Sequence, residues 1–276
     1  MSVHATTDGR AQAASATAAA TAPTRGFTTG ARDVAVLTRR NIKRIVRTPQ
    51  LLAASSLQPV LFVLLFRYVF GGAIHVPGMT YVDYMIPAAL LTTTLFAATT
   101  AVAMASDMQG GMIERFRSLP IARVAVLAAR AIADLLRSTL VVAIVLALGF
   151  LLGFGFHRGV GGAISAVALV LAFGLAFIWI FALIGMYVTD PQTAQLVGML
   201  PLFPLLFASS AFVPVSTMPG WLQDFANVQP VSVTINAVRA LAEGGEVAHW
   251  LWLSLAWIVG ILIVTIPLAV NRYKRT

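Results

Sequence analysis

From residue 51 onward, long runs without charge alternate with short polar connections. Six runs reach the ~20 residues that an α-helix needs to cross a bilayer core. They cover about 51–70 (charge-free from Leu51 to Phe66), 84–106, 136–156 (with Arg137 at its start), 163–188, 192–213 and 249–270. The fifth holds Pro201 and Pro204 and lies inside a charge-free stretch, 191–223, that is too long for one simple span. Residues 1–26 carry no sustained run of large apolar residues. Their Ala, Thr and Ser richness predicts a disordered tail. The pattern therefore predicts an all-α polytopic membrane protein, with a membrane domain over 27–276.

Composition sharpens this. Of 276 residues, 59% are hydrophobic and 11% charged, far below the roughly one quarter charged of soluble domains. Cysteine is absent, which excludes a disulfide framework and a thiolate zinc site. Lys43 and Lys274 are the two lysines; the preference for arginine, with the alanine richness, suggests a high-GC bacterial genome.

The net charge of +9 would suggest nucleic acid in a soluble protein. Its distribution points elsewhere. Arg10, Arg25, Arg32, Arg39, Arg40, Lys43, Arg44 and Arg47 precede the first run. Arg115, Arg117, Arg123, Arg130 and Arg137 lie between the second and third, and Arg272, Lys274 and Arg275 follow the sixth. The opposite side has Arg67, Arg158 and Arg239, a split of 16 to 3. The positive-inside rule then predicts a plasma-membrane protein with both termini in the cytoplasm. The basic excess is topological. It allows contact with anionic membrane lipids and requires no nucleic acid.

Three segments between the runs carry candidate function. In 32–48, Val34, Leu37, Ile42 and Ile45 share a broad helical face with Thr38 and Asn41, and Arg39, Arg40, Lys43 and Arg47 gather opposite. Such a helix lies in the headgroup plane, either as a plain anchor or as a platform for a cytoplasmic partner.

The loop 107–137 contains Gly110-Gly111, a short amphipathic stretch and then Leu119-Pro120. Pro120 breaks the hydrogen-bond ladder. The stretch suits a groove on another protein, with Met112, Ile113 and Phe116 as anchors and Glu114, Arg115 and Arg117 setting register. The alternative is a solvated loop whose arginines only fix orientation.

The external segment 214–247 is too apolar for a loop and predicts two short helices. Ser216 or Thr217 caps the first, with Pro219 in its first turn. Pro230 opens the second and Gly244-Gly245 ends it. Trp221, Leu222 and Phe225 form one apolar face; Ile235, Val238 and Leu241 form another. These short helices are expected to dip into the outer leaflet and return; non-helical backbone at that depth survives only inside protein or beside a watery cavity, so the segment is expected to roof or gate something.

Together these features resemble one family. The basic interfacial helix, six spans, the loop Glu-Arg-x-x-Ser-Leu-Pro-Ile-x-Arg and the segment Pro-x-x-x-Met-Pro-Gly-Trp-Leu-Gln-x-Phe-x-x-x-Gln-Pro-Val-Ser are similar to the type-2 ABC exporter permeases. The likeness is strongest to the daunorubicin-resistance-like membrane subunits of actinobacteria, and it covers about 27–275. The resemblance implies a membrane core of two permeases, identical or homologous, with two ATPase subunits below.

It further implies a coupling helix made by Met112, Ile113, Glu114, Arg115, Phe116, Arg117, Leu119 and Pro120, and a connecting helix bearing Arg39, Arg40, Lys43 and Arg47. An external gate would include Pro219, Trp221, Leu222, Phe225 and Pro230. Spans two and five would line the dimer seam, with Phe203, Phe207 and Phe212 facing either a substrate path or lipid and core. The implied substrates are drugs, antibiotics and complex lipids or glycolipids. ATP and Mg would act on the partner ATPase.

The residues support that division of labour. A Gly-x-x-x-x-Gly-Lys phosphate loop needs a Gly-Lys pair, yet the lysines follow Ile42 and Tyr273. The expectation is a non-enzymatic permease subunit without catalytic residues, with six spans leaving no room for an ATPase domain. His75, His157 and His249 lie in separate loops without metal-site spacing, so no metal is expected. No serine sits in a Gly-x-Ser-x-Gly elbow. Two alternatives are an ion-coupled secondary efflux transporter and a non-transport scaffold. The first would use Asp83, Asp107, Asp134 or Asp190, all at predicted span ends.

Overall fold

The computed structural model describes residues 49–74, 76–96, 99–110, 123–188 and 190–275. Readings on the tail 1–26, on the connecting-helix residues Arg39, Arg40, Lys43 and Arg47, and on the coupling residues Met112, Ile113, Glu114, Arg115, Phe116, Arg117, Leu119 and Pro120 lie outside these residues, as does His75.

The described chain is all helical. Helix α1 (Pro49–Leu65) runs into a π-helical turn, Phe66–Phe70. It is followed by α2 (Tyr81–Leu95) and α3 (Thr99–Gln109), then by α4 (Arg123–Leu151) and α5 (Gly159–Tyr187). Two short helices, α6 (Pro191–Met199) and α7 (Leu202–Phe207), lead to α8 (Gly220–Val228), α9 (Pro230–Glu243) and α10 (Val247–Arg275). Among the described residues, four segments are long and apolar enough to cross a membrane: Tyr81–Gln109, Leu127–Leu151, Gly159–Tyr187 and Val247–Tyr273.

Helix α5 is apolar all round, the mark of a helix enclosed by others. It packs against α2, α3, α4, α9 and α10. Two glycines let it approach closely. A Cβ on Gly185 would stand 2.4 Å from the carbonyl oxygen of Ala101, and one on Gly174 would stand 2.8 Å from the Thr94 Cβ. Association between helices in lipid depends on this close packing, since lipid tails are as apolar as the side chains.

Every residue of α2 is buried. Its threonines are satisfied locally: Thr92, Thr93 and Thr94 donate to the carbonyls of Ala88, Leu90 and Leu91. Thr99 and Thr100 reach across to α4 instead.

The third charge-free run begins near residue 136, and its helix is described back to Arg123, into the 107–137 segment. A helix carries its charged first turns as easily as its apolar ones, and hydropathy sees the latter. The fifth run, 192–213, is not one helix. It breaks into α6, α7 and an irregular stretch, 208–214. Pro201 and Pro204 each lack the N–H that would continue the ladder.

Candidate functional site

The break leaves backbone groups that must find partners inside protein. The α8–α9 pair, here called the roof, supplies them. Gln229 sits between the two helices and is only 4% exposed. Its Nε2 donates to the Leu205 carbonyl at 3.0 Å and the Ala208 carbonyl at 3.4 Å, and also to Ser232 Oγ. Its Oε1 accepts from the Val231 amide, capping α9, with Pro230 in the first turn. Ser232 Oγ accepts from the Ser210 amide, and Ser210 Oγ donates to Asn236 Oδ1.

Arg239 completes the network. Its Nη2 donates to the carbonyls of Tyr84 (3.0 Å) and Ser210 (3.1 Å), Nε to Tyr84 O, and Nη1 to Asn236 Oδ1. The guanidinium lies 3.8 Å from the centre of the Tyr84 ring, and the Tyr84 hydroxyl also donates to Ser210 O. One arginine thus ties the roof, the broken segment and α2 together. Its charge is met by carbonyl dipoles and an aromatic face.

By sequence Arg239 is one of three external basic residues, and Gln229, Ser232, Asn236 and Tyr84 carry no assigned role. The available signal was a polar face on an otherwise apolar helix, Gln229, Ser232, Asn236 and Arg239, at helical spacing.

The roof's rims are also anchored. The amides of His157 and Arg158 donate to the Ala242 carbonyl at the end of α9. His157 Nδ1 lies 2.8 Å from Glu243 Oε2. Thr234 and Ser254 hydroxyls pair between α9 and α10, and Trp257 Nε1 donates to the Val228 carbonyl. Gly244 stops α9 with a φ of 114°, which L side chains rarely adopt.

The predicted gate residues divide. Trp221 is 73% exposed, and Phe225 is exposed with it; Leu222 is half-buried. Ile235, Val238 and Leu241 are in the core. The cap expected from Ser216 or Thr217 is not used. Val215–Thr217 form a single 3₁₀ turn, and Pro219 is the N-cap of α8 rather than a first-turn residue.

The three phenylalanines also separate. Phe203 and Phe207 stack with centroids 6.3 Å apart and stand 50% and 58% exposed. Phe212 is buried, stacked on Phe66 at 4.5 Å and edge-on to Phe62 at 5.1 Å. It joins the irregular stretch to α1.

A second polar site flanks residues 111–122. Asp107, near the end of α3, pairs with Arg130 of α4. Asp134 lies 4.0 Å from Arg130 Nε and 3.9 Å from Arg137 Nη2, and accepts from the Thr100 hydroxyl at 2.8 Å. Arg137 also donates to the Thr99 hydroxyl. Asp107 and Asp134, which an ion-coupled transporter would need, are engaged by arginines. Asp190 caps α6: the Thr193 hydroxyl and amide hold its carboxyl below the usual range. Among the described residues, no three His, Asp or Glu side chains converge as metal ligands.

Comparison with known proteins adds to this geometry. The profile described as ABC-2 type transporter matches residues 32–242. The daunorubicin resistance ABC transporter permease protein DrrB1 of Streptomyces coeruleorubidus is 33% identical over 219 residues, covering 79% of this chain and 77% of that protein. The probable doxorubicin resistance ABC transporter permease protein DrrC of Mycobacterium tuberculosis is 27% identical over 241 residues, covering 86% and 87%. The probable multidrug ABC transporter permease YbhR of Escherichia coli is 21% identical over 202 residues, covering 72% and 54%.

Proposed function

The chain belongs to the ABC-2 type transporter family, and on that premise we propose that it is the membrane-spanning permease subunit of an ATP-driven exporter. Its substrate is a hydrophobic or amphiphilic molecule: a drug, an antibiotic or a complex lipid. ATP is hydrolysed, with Mg, on a separate ATPase subunit. Two such ATPases and a second permease, identical or homologous, complete the assembly. The relatives named for daunorubicin and doxorubicin resistance support the substrate class.

The observation that carries the reading is the roof. An α8–α9 pair whose polar face is consumed in holding a broken helix suits an exit closure that moves as one body. Six spans follow if α1 with its π-helical turn and the α6–α7 segment cross the bilayer with the four long segments. The 16-to-3 arginine and lysine asymmetry supports cytoplasmic termini in a bacterial plasma membrane. The roof is then external, and 111–122 faces the ATPase.

Met112, Ile113, Glu114, Arg115, Phe116, Arg117, Leu119 and Pro120 make the coupling helix, and the Asp107–Arg130–Asp134–Arg137 ladder holds the two helices that flank it in sequence. Trp221, Phe225, Phe203 and Phe207 present apolar surface to the substrate, the second permease or lipid.

Co-expression with the ATPase gene beside it tests the proposal. A complex should form, and Glu114→Ala should reduce substrate-stimulated ATP hydrolysis without affecting membrane insertion. A folded permease that never retains an ATPase would sink the reading. A cysteine placed at Ser118 and labelled only from outside the cell would invert the topology.

A further inference from the structure

The two helices of the roof meet their surroundings differently. Helix α9 is buried along most of its length, whereas α8 carries three separate faces. At about 100° per residue, Trp221, Phe225 and Val228 fall within about 60° of one another. They are 73%, 46% and 66% exposed. On one side of this stripe lie Leu222 and Ala226, half-buried and buried. On the other lie Asp224 and Asn227, both exposed. Gln223 is spent on the Met218 carbonyl. Neither the Asp224 nor the Asn227 side chain makes a hydrogen bond or ion pair to the described residues.

Two hydrogen bonds fix how deep α8 ends. The apolar run of α10 extends from Trp250 to Val270, about 30 Å of helix, which is the thickness of a hydrocarbon core. Trp257 stands about 10 Å inside that run, and its Nε1 donates to the Val228 carbonyl at 3.1 Å. Ser254, about 6 Å inside the run, pairs with the Thr234 hydroxyl at 2.8 Å. Helix α9 therefore climbs beside α10, toward the α10 N-terminus, from a foot at Gln229. Helix α8 ends at that foot.

Asp224 is one turn from Val228, so even an upright α8 lifts it by only about 6 Å. Exposed side chains at this depth meet either lipid or water. The apolar stripe suits acyl chains. A carboxylate and an amide cannot be left unsolvated in hydrocarbon. Gln229, at the same depth, finds its partners within the protein; Asp224 and Asn227 do not.

We propose that α8 is a boundary element inside the bilayer. Its Trp221–Phe225–Val228 stripe lies against lipid acyl chains, and its Asp224–Asn227 edge lines a water-filled vestibule in the same leaflet. With cytoplasmic termini, that leaflet is the outer one. This placement rests on the permease reading and deepens it. An amphiphile leaving past the roof meets lipid and water on two edges of one helix, so its apolar part passes into the leaflet while its polar part stays hydrated.

The chain has no cysteine, so nitroxide labels are introduced one at a time through Trp221→Cys, Asp224→Cys, Phe225→Cys, Asn227→Cys and Val228→Cys, in the full chain in lipid nanodiscs. Collision with oxygen, which concentrates in lipid, is compared with collision with a neutral, water-soluble nickel chelate. Oxygen should prevail severalfold at 221, 225 and 228, and the chelate at 224 and 227. The ratio at 228 should lie between those of Trp252→Cys and Ile263→Cys, exposed at shallow and deep positions of α10. Chelate access to all five sites would put α8 outside the bilayer. Its exclusion from 224 and 227 would mean that a second copy or another protein covers that edge. Either result overturns the proposal. If a labelled variant does not fold, the unlabelled cysteines are treated in cells with a charged, membrane-impermeant thiol reagent. Asp224→Cys and Asn227→Cys should react severalfold faster than Phe225→Cys, and equal rates would count against the vestibule. Retention of an ATPase, which tests the exporter reading, is independent of all these outcomes.

Discussion

The guanidinium of Arg239 donates from Nη2 to the main-chain carbonyl of Tyr84 at 3.0 Å while its plane lies over the ring of the same residue, 3.8 Å from the centre. A second carbonyl acceptor, Ser210 O at 3.1 Å, belongs to a stretch of chain that cannot satisfy itself. Arg239 is therefore where the roof, the broken segment and α2 meet.

Arg239→Lys should destabilise the protein by about 2–3 kcal/mol. An ammonium carries charge but not the planar fork that reaches several acceptors at once. A drop in thermal unfolding temperature in detergent, larger than that of a surface control such as Arg158→Lys, is the expected result. Equal stability of the two variants would show that the fork is not needed.

Gln229→Leu should cost about 1–3 kcal/mol, because the Leu205 and Ala208 carbonyls and the Val231 amide lose a buried partner. Gln229→Glu tests the donor separately: it keeps the oxygen that caps α9 and removes the Nε2 donor. Both variants should speed hydrogen exchange in α7. Loss confined to α9 would mean that the cap, and not the bridge to the broken helix, is what matters.

The Asp107–Arg130 pair is expected to transmit motion between α3, α4 and residues 111–122 that join them in sequence. Asp107→Arg and Arg130→Asp should each lower substrate-stimulated ATP hydrolysis by severalfold in the assembled transporter. The double swap should recover a substantial part of it, since opposite charges face each other again. No recovery would restrict the pair to a packing role.

Gly185→Ala places a methyl group 2.4 Å from the Ala101 carbonyl oxygen and should force α3 from α5, at about 1–3 kcal/mol. Gly161 faces open space, and its alanine variant should lie within about 0.5 kcal/mol of wild type. Unfolding temperatures of the two variants give the comparison.

The roof was partly legible in the residues. Pro230 and Gly244 bracket α9 as expected, because a proline in the first turn and a glycine past the last act through the local backbone alone. The cap of α8 was misplaced by two or three residues, since Ser216, Thr217 and Pro219 offer several local solutions. Phe212 shows the same limit. Its apolar character is compatible with a path, with lipid or with a core, and its burial and stacking on Phe66 put it in the core.

Hydropathy and charge by themselves determined a polytopic helical membrane protein and the charge asymmetry along it, because transfer to lipid and the positive-inside bias act residue by residue. The tertiary structure alone decided that Arg239 has carbonyls for partners, that Gln229 bridges to a broken helix, and that His157 pairs with Glu243. Tyr84 and Arg239 are separated by 155 residues. No local periodicity records such a pairing, which exists only once the helices have packed.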